Sequence, residues 1–562
     1  MKQKALILLM AATLVACTTK QEVDLVLRGG TVFDGSGAPP RVADVAIDGD
    51  RIVALGDLTA FAGRQELDVT GLAVAPGFIN MLSWATVSLI EDGRGMSDLE
   101  QGVTLEVFGE GWSMGPLTDA MKDEAVARQG DIKYEIAWTT LDEYLQYLED
   151  RGVSPNLASF VGATTVRIHV LGYADRPPTP EELESMKDLV RQAMEDGALG
   201  VGSSLIYAPA FYADTDELVA LAAVAGDYGG MYISHIRSEG KGLLEGVDEL
   251  IHIARVAGVP AEVYHLKAAG EENYAKLDQV IERIDAARAE GLQISADIYT
   301  YTAGATGLDA AMPPWVQEGG HDAWVERLQD PSIRERVLAE MSTPTDEWEN
   351  LMLAAGSPEN VLLVGFKSEE LKPLTGKTLA EVASLRGVSP AEAAIDLVVE
   401  DDSRVETVYF IMSEDNVRKK VALPWVSFGS DAEAAAAEGV FLKSNPHPRA
   451  YGTFAKLLGQ YSRDEGIVTL EEAIRRLTSM PAGHLGITDR GRLEAGHYAD
   501  VVVFDAATIE DHATFEAPHQ YATGVQHVFV NGVQVIREGE HTGSTPGRVV
   551  RGPGWSGREE SN

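Results

Sequence analysis

His235 and His265 each close a short apolar run, and the residues between the two runs decide what the imidazoles can do together. The first run reads Met231-Tyr-Ile-Ser-His235 and the second Ala261-Glu-Val-Tyr-His265. Between them Leu243, Leu244, Val247, Leu250, Ile251 and Ala254 recur at three- and four-residue spacings, which predicts a helix over 242–257. Strand, helix and strand in that order make parallel neighbours, with both imidazoles at the carboxyl edge, where α/β proteins place their chemistry. Neutral imidazole is a good ligand for zinc and its neighbours in the transition series, so the pair points to a metal site. The alternative for each histidine, taken singly, is an ordinary strand-end hydrogen bond.

Placing such a pair takes a large scaffold. The chain has 562 residues, 45% of them hydrophobic and 24% charged, a composition that buries a large core and leads to more than one domain. A formal charge of -41 argues against nucleic acid as a partner and against an anionic membrane surface held electrostatically. At the start, Lys2 and Lys4 precede an apolar run over residues 5–16, too short to span a bilayer and patterned as a signal peptide. It ends Leu14-Val15-Ala16-Cys17, which resembles the lipobox of bacterial lipoproteins. The protein is therefore expected to be exported and lipid-anchored at Cys17 to a bacterial membrane, on the periplasmic side or the cell surface. Cys17 is the only cysteine, which excludes an intrachain disulfide and a cysteine metal ligand in the mature body.

The elements that must position the histidines can be read from their periods. Short alternating runs separated by Gly and Asp fill residues 23–75, and similar runs return at 500–504 and 527–536, the latter broken by the hairpin pair Asn531-Gly532. Both ends are expected to form one β-sandwich, from residues 18–75 and 487–550, with a tail over 551–562. Between them, over 76–486, strand candidates at 77–82, 103–109, 157–162, 199–203, 231–235, 261–265, 294–299, 408–412 and 426–431 alternate with helices at 180–196, 215–228, 242–257 and 274–290. This α/β pattern predicts a (β/α)8, TIM-like barrel, with nine runs competing for eight places. The stretch 306–404, with Met312-Pro-Pro-Trp315 and Glu318-Gly-Gly320, breaks the rhythm and is expected to be an inserted lid or substrate-binding subdomain.

Further motifs stand in order along the chain: Ala75-Pro-Gly-Phe-Ile79, Gln101-Gly-Val-Thr104, Ser203-Ser-Leu-Ile-Tyr207, Ser234-His-Ile-Arg-Ser-Glu-Gly240, His265-Leu-Lys267, Asp297-Ile-Tyr-Thr-Tyr-Thr-Ala-Gly304, Gly429-Ser-Asp431 and His447-Pro-Arg-Ala-Tyr-Gly-Thr-Phe454. On these the chain resembles the N-acyl-D-amino-acid deacylase (D-aminoacylase) family of the metal-dependent amidohydrolase superfamily. The resemblance implies that His235 and His265 bind zinc, and that Asp431 is the catalytic aspartate, general base toward a metal-activated water and then acid toward the leaving amine. A helix-capping carboxylate is the alternative for Asp431. Lys267 and Tyr207 match residues that hold the substrate carboxylate in the family, and Tyr299 matches a further tyrosine of that pocket. The alternatives are a surface salt bridge for Lys267 and core packing for the tyrosines. Arg449 and His447 are placed at the same mouth, and Arg237 and Glu239 are expected to orient the site.

The departures from the family matter as much. Its first barrel strand ends His-x-His, whereas Leu82 and Trp84 stand at those positions here, and its bridging cysteine is replaced by the text Phe108-Gly-Glu-Gly-Trp112. Glu110 is then the candidate third ligand, in a site for one zinc with an open position for water. The alternative places Glu110 in solvent or against Trp112. The expected activity is hydrolysis of the amide bond of N-acyl-amino acids, the D-configuration following from the resemblance alone. Other readings are a dipeptide, cyclic amide or lactone hydrolase on the same site, and a non-catalytic binding lipoprotein.

Overall fold

The computed structural model describes residues 20–557, so the expected signal segment, Cys17 and the last residues of the tail lie outside the described residues. Among the described residues no helix is long and apolar enough to cross a membrane.

Strands covered on both faces must be apolar or internally satisfied along their whole length. Gly200–Ser204, Met231–His235 and Ile294–Ile298 are buried at every residue and lie in one parallel sheet. That sheet runs Val426–Phe428, Ile294–Ile298, Ala261–Val263, Met231–His235, Gly200–Ser204, Val161–Gly162. A second parallel sheet contains Phe78–Asn80, Val103–Phe108 and Asn156–Ser159. The chain passes from Asn156–Ser159 through Phe160 directly into Val161–Gly162, which joins the two sheets at one seam. At the other seam Met81 N donates to Phe428 O (3.2 Å) and Asp431 N to Leu82 O (2.8 Å). The pairing order thus returns to its first strand, the order expected of a (β/α)8 architecture.

Helices cover this sheet where the apolar spacing placed them. Pro180–Glu195 opens on a Thr179 capping box with proline in its first turn, and Leu243–Ala257 stops at Gly258, whose φ of 70° suits only a residue without Cβ penalty. Thr215–Asp227 and Lys276–Ala289 complete the set expected between the strands.

The surplus strand candidate is the run at 408–412. Only its first two residues, 408 and 409, are strand; they belong to Glu406–Tyr409, which pairs antiparallel with Gly304–Gly307 and Val361–Gly365, away from the parallel strands. A short apolar run shows that it is buried, not against which sheet. This three-stranded sheet belongs to the segment that interrupts the strand–helix rhythm, and Trp324, Leu328, Val337, Leu363, Leu379 and Tyr409 form part of its own apolar cluster.

The two chain ends meet in one sheet of nine strands. Val501–Phe504 pairs antiparallel with Ala73–Pro76 and is the link between them. The expected β-sandwich from both chain ends is hydrogen-bonded as this one continuous sheet.

Asn80 ties the first parallel strand to the turn that carries Asp431. Its amide nitrogen lies 3.2 Å from Asp98 Oδ2, 3.1 Å from Glu106 Oε2 and 2.8 Å from Ser430 Oγ, while its carbonyl accepts from Ser430 N at 2.8 Å. All four side chains are buried. Burial pushes Glu106 up to about 7, and burial together with Glu106 raises Asp98. A carboxyl whose pKa is raised by folding holds its proton in the native state, so its stabilising effect is lost as pH rises from the unfolded value toward the folded one. Glu106→Gln should therefore flatten the fall in thermal unfolding midpoint between pH 4.5 and about 7 relative to wild type. Parallel slopes in the two proteins would show that Glu106 does not carry this linkage.

Candidate active site

Three separate strand ends deliver the donor atoms. His235 is the last residue of Met231–His235. Its neighbour strand stops at Val263, and His265 lies just beyond, in the left-handed region at φ 36°. That conformation is costly for a residue with a Cβ and persists where the surroundings over-determine it. Here the His265 N–H donates to Asp297 Oδ1 at 2.8 Å, and the next strand end fixes the turn.

Glu110 follows Val103–Phe108 in a turn between Gly109 (φ 109°) and Gly111 (φ 69°). A Cβ at Gly109 would meet the Phe160 carbonyl oxygen at 2.5 Å, and one at Gly111 would meet Ser204 Cβ at 2.7 Å. Glycine on both sides lets the turn press against the neighbouring strands and aim the glutamate inward. Glu110 is 5% exposed, which settles its orientation against solvent; Trp112 touches it only through a backbone N–H.

Glu110 Oε1 lies 3.2 Å from His235 Nδ1 and 3.0 Å from His265 Nε2, and among the described residues these three form the group able to hold a metal ion. Tetrahedral zinc with bonds of about 2.0–2.1 Å separates its donors by about 3.3 Å. The observed spacings fit that demand, so the residues present suit the group.

Behind the imidazoles stands a second carboxylate. Glu239 Oε1 is 3.0 Å from His265 Nδ1 and 2.6 Å from Lys267 Nζ, and Glu239 Oε2 is 3.7 Å from His235 Nε2. For His265 to offer Nε2 as a ligand its proton must sit on Nδ1, and Glu239 is the acceptor for it. Burial opposes ionisation of Glu239, but Lys267 and the two histidines outweigh it and hold its carboxyl well below the usual range. Burial and Lys267 likewise oppose a charge on His265, yet Glu110 and Glu239 raise it to about 10 among the protein groups alone. The pocket is thus arranged to favour positive charge between the two carboxylates.

Asp431 stands beside this group, at φ 51° in the turn after Val426–Phe428. Arg449 Nη1 pairs with its Oδ2 at 2.7 Å, and Trp84 Nε1 is 3.1 Å from its Oδ1. Burial pushes the carboxyl up, against the pull of Arg449 and His265. Arg449 Cζ lies 4.5 Å over the Tyr299 ring, and the buried Tyr299 hydroxyl has no hydrogen-bond partner in the protein. Lys267 is 4% exposed and Tyr207 packs edge-on to His235 with centroids 5.4 Å apart. His447 is buried, with Nε2 3.0 Å from Ala303 O and Nδ1 accepting from Arg449 N at 3.0 Å. Arg237, expected to orient the site, is committed to Glu249 (2.9 Å) and to the Phe211 and Ala213 carbonyls.

Three contacts have no counterpart in the sequence reading. Trp84, read there only as a lost ligand, donates toward Glu110 and Asp431. Arg404, held by Asp309 at 2.9 Å, lies 5.0 Å over the Tyr207 ring, and Glu349 accepts from the Glu239 N–H at 2.7 Å. Both come from the interrupting segment, which therefore reaches the site, and neither carried a local signal. Asp297 could have been singled out, as a carboxylate at a buried strand end.

Comparison with known proteins gives this geometry its relatives. The pattern of the Amidohydrolase family matches residues 65–536. The chain belongs to the amidohydrolase family. Within it, the chain is 34% identical to the D-aminoacylase of Alcaligenes xylosoxydans xylosoxydans, across 94% of this chain and 98% of that protein. A solved D-aminoacylase with a binuclear metal centre, described by one-metal activation and second-metal attenuation, superposes with a TM-score of 0.78 at 32% identity, covering 94% of this chain and 100% of that one. The N-acyl-D-glutamate deacylase of Bordetella bronchiseptica, solved with zinc and a phosphonate inhibitor that mimics the tetrahedral intermediate, gives a TM-score of 0.78 at 29% identity, with the same coverage. This amidohydrolase falls in the D-aminoacylase branch and acts on carbon–nitrogen bonds other than peptide bonds.

Elemental analysis of purified protein tests the donor set. Glu110→Ala, His235→Ala and His265→Ala should each lose the zinc that wild type retains through dialysis. Retention of wild-type zinc by all three variants would place the metal elsewhere.

Proposed function

We propose that this amidohydrolase is a zinc enzyme that cleaves the amide bond of N-acyl-amino acids, with N-acyl-D-amino acids its substrate class. The observation that carries the reading is the juxtaposition of the Glu110, His235 and His265 donors with a buried aspartate held by an arginine. D-Aminoacylase and N-acyl-D-glutamate deacylase as relatives over nearly the whole chain support the substrate class.

Bound at Glu110, His235 and His265, zinc would supply Lewis acidity toward the scissile carbonyl and make a water acidic enough to ionise near neutral pH. Asp431 takes that water's proton and returns it to the leaving nitrogen; each of its oxygens keeps a lone pair beyond those facing Trp84 and Arg449. Arg449, Lys267 and the unpartnered Tyr299 hydroxyl receive the substrate carboxylate, the cations by charge and the phenol by a directed donor. Lys267 has three N–H bonds and gives one to Glu239, while His265 Nδ1, carrying its own proton, accepts none, so donors remain for substrate. Tyr207 and Arg404 border the same mouth. Export and lipidation at Cys17 belong to this reading, supported by the apolar run and the Leu14-Val15-Ala16-Cys17 text.

A hydrolysis screen over N-acyl-D-amino acids, N-acyl-L-amino acids, dipeptides and lactones tests it. The D-series should be preferred, and Asp431→Asn should lower kcat by about 10²-fold or more. Lys267→Met should raise KM by about tenfold or more, the cost of one charged hydrogen bond. Equal and negligible turnover by wild type and Asp431→Asn on every class would end the enzymatic reading, and preference for a lactone or dipeptide would reassign the substrate.

A further inference from the structure

The first parallel strand ends against the turn that carries the catalytic aspartate. Trp84 N donates to Ala432 O at 2.9 Å, and Asp431 N to Leu82 O at 2.8 Å. The approach is close: a Cβ at Gly429 would stand 2.7 Å from Leu82 N, so only glycine fits there without displacement. This backbone zipper brings the Trp84 indole between two carboxylates. Its Nε1 lies 3.0 Å from Glu110 Oε2 and 3.1 Å from Asp431 Oδ1.

Indole has a single N–H and no acceptor, so one proton bridges the candidate metal ligand and the candidate proton carrier. The remaining oxygens are already assigned. Glu110 Oε1 faces the two imidazoles, and Asp431 Oδ2 faces Arg449. The indole therefore determines which oxygen of each carboxylate is turned to the reaction and which is turned away. It also fills, with a neutral ring, the space between two carboxylates that would otherwise attract a second cation.

We propose that Trp84 is a positioning residue: its N–H holds Glu110 to one-oxygen ligation, holds the Asp431 carboxylate in its working orientation, and with the ring keeps the centre to a single metal ion. This rests on the proposed function, and the test separates the two. Trp84→Phe removes the N–H and keeps an aromatic ring, while 3-benzothienyl-alanine placed at position 84 alone keeps the bicyclic shape and lacks only the N–H. Zinc affinity is read by competition with a chromogenic chelator, and kcat and KM on the preferred N-acyl-amino acid.

Both replacements should weaken zinc by about 10–100-fold, the usual effect of losing an outer partner of a metal ligand. Both should lower kcat by about tenfold or more, with KM within about twofold of wild type. Should Trp84→Phe fail to fold, the benzothienyl protein decides. Wild-type zinc affinity and kcat in the benzothienyl protein would overturn the inference while leaving the function standing. A wild type that binds no zinc and hydrolyses nothing would overturn both.

Discussion

The site depends on how buried charge is balanced. Glu110, Glu239 and Asp431 are three carboxylates almost closed to solvent, and against them stand Lys267 and Arg449, with two imidazoles between. Removing such charges from water is expensive unless each is paired and hydrogen-bonded. Glu239 is paired with Lys267 and Asp431 with Arg449, whose Nε and Nη1 make no hydrogen bond among the described residues. Glu110 faces only imidazoles and an indole, and its nearest oxygen is shared by two rings. With neutral imidazoles the cluster carries one negative charge more than positive, which a divalent cation turns into a net positive centre.

Everything around that cluster serves to hold the donors at strand ends. Parallel strands place successive carboxyl ends side by side, and the residues after them depart from strand geometry where the chemistry needs it: His265 and Asp431 both take left-handed conformations. Asp297 fixes the first through a backbone N–H, while Asn80 and Leu82 fix the second from the neighbouring strand. The strain is local and is met by buried hydrogen bonds. The segment that interrupts the strand–helix rhythm adds Arg404 and Glu349 from outside, so the mouth is built from elements far apart in the chain.

Much of this is legible in the sequence. Two apolar runs with a helical repeat between them place His235 and His265 at the ends of adjacent strands, because period and order suffice for a parallel pair, although the second strand stops at Val263. Nine runs for eight places flagged a surplus strand, yet periodicity could not say which, and the run at 408–412 pairs instead with Val361–Gly365. The end segments read correctly as strands that meet, and their hydrogen bonding runs continuously through one sheet. Glu110 could be nominated because histidine and cysteine were missing from their usual positions; its inward aim depends on the two flanking glycines pressed against Phe160 and Ser204. Trp84 was invisible as a participant, since an aromatic in place of a ligand reads as a loss until its N–H is seen between two carboxylates.

One zinc ion is proposed to sit among Glu110, His235 and His265, next to an indole that takes the place of a second. Anomalous diffraction at the zinc edge, from crystals of zinc-loaded protein, tests it directly. One anomalous peak is expected within about 2.0–2.2 Å of Glu110 Oε1, His235 Nδ1 and His265 Nε2, and none beside Trp84. A second peak between Glu110 and Asp431, or a single peak away from these three donors, would contradict it.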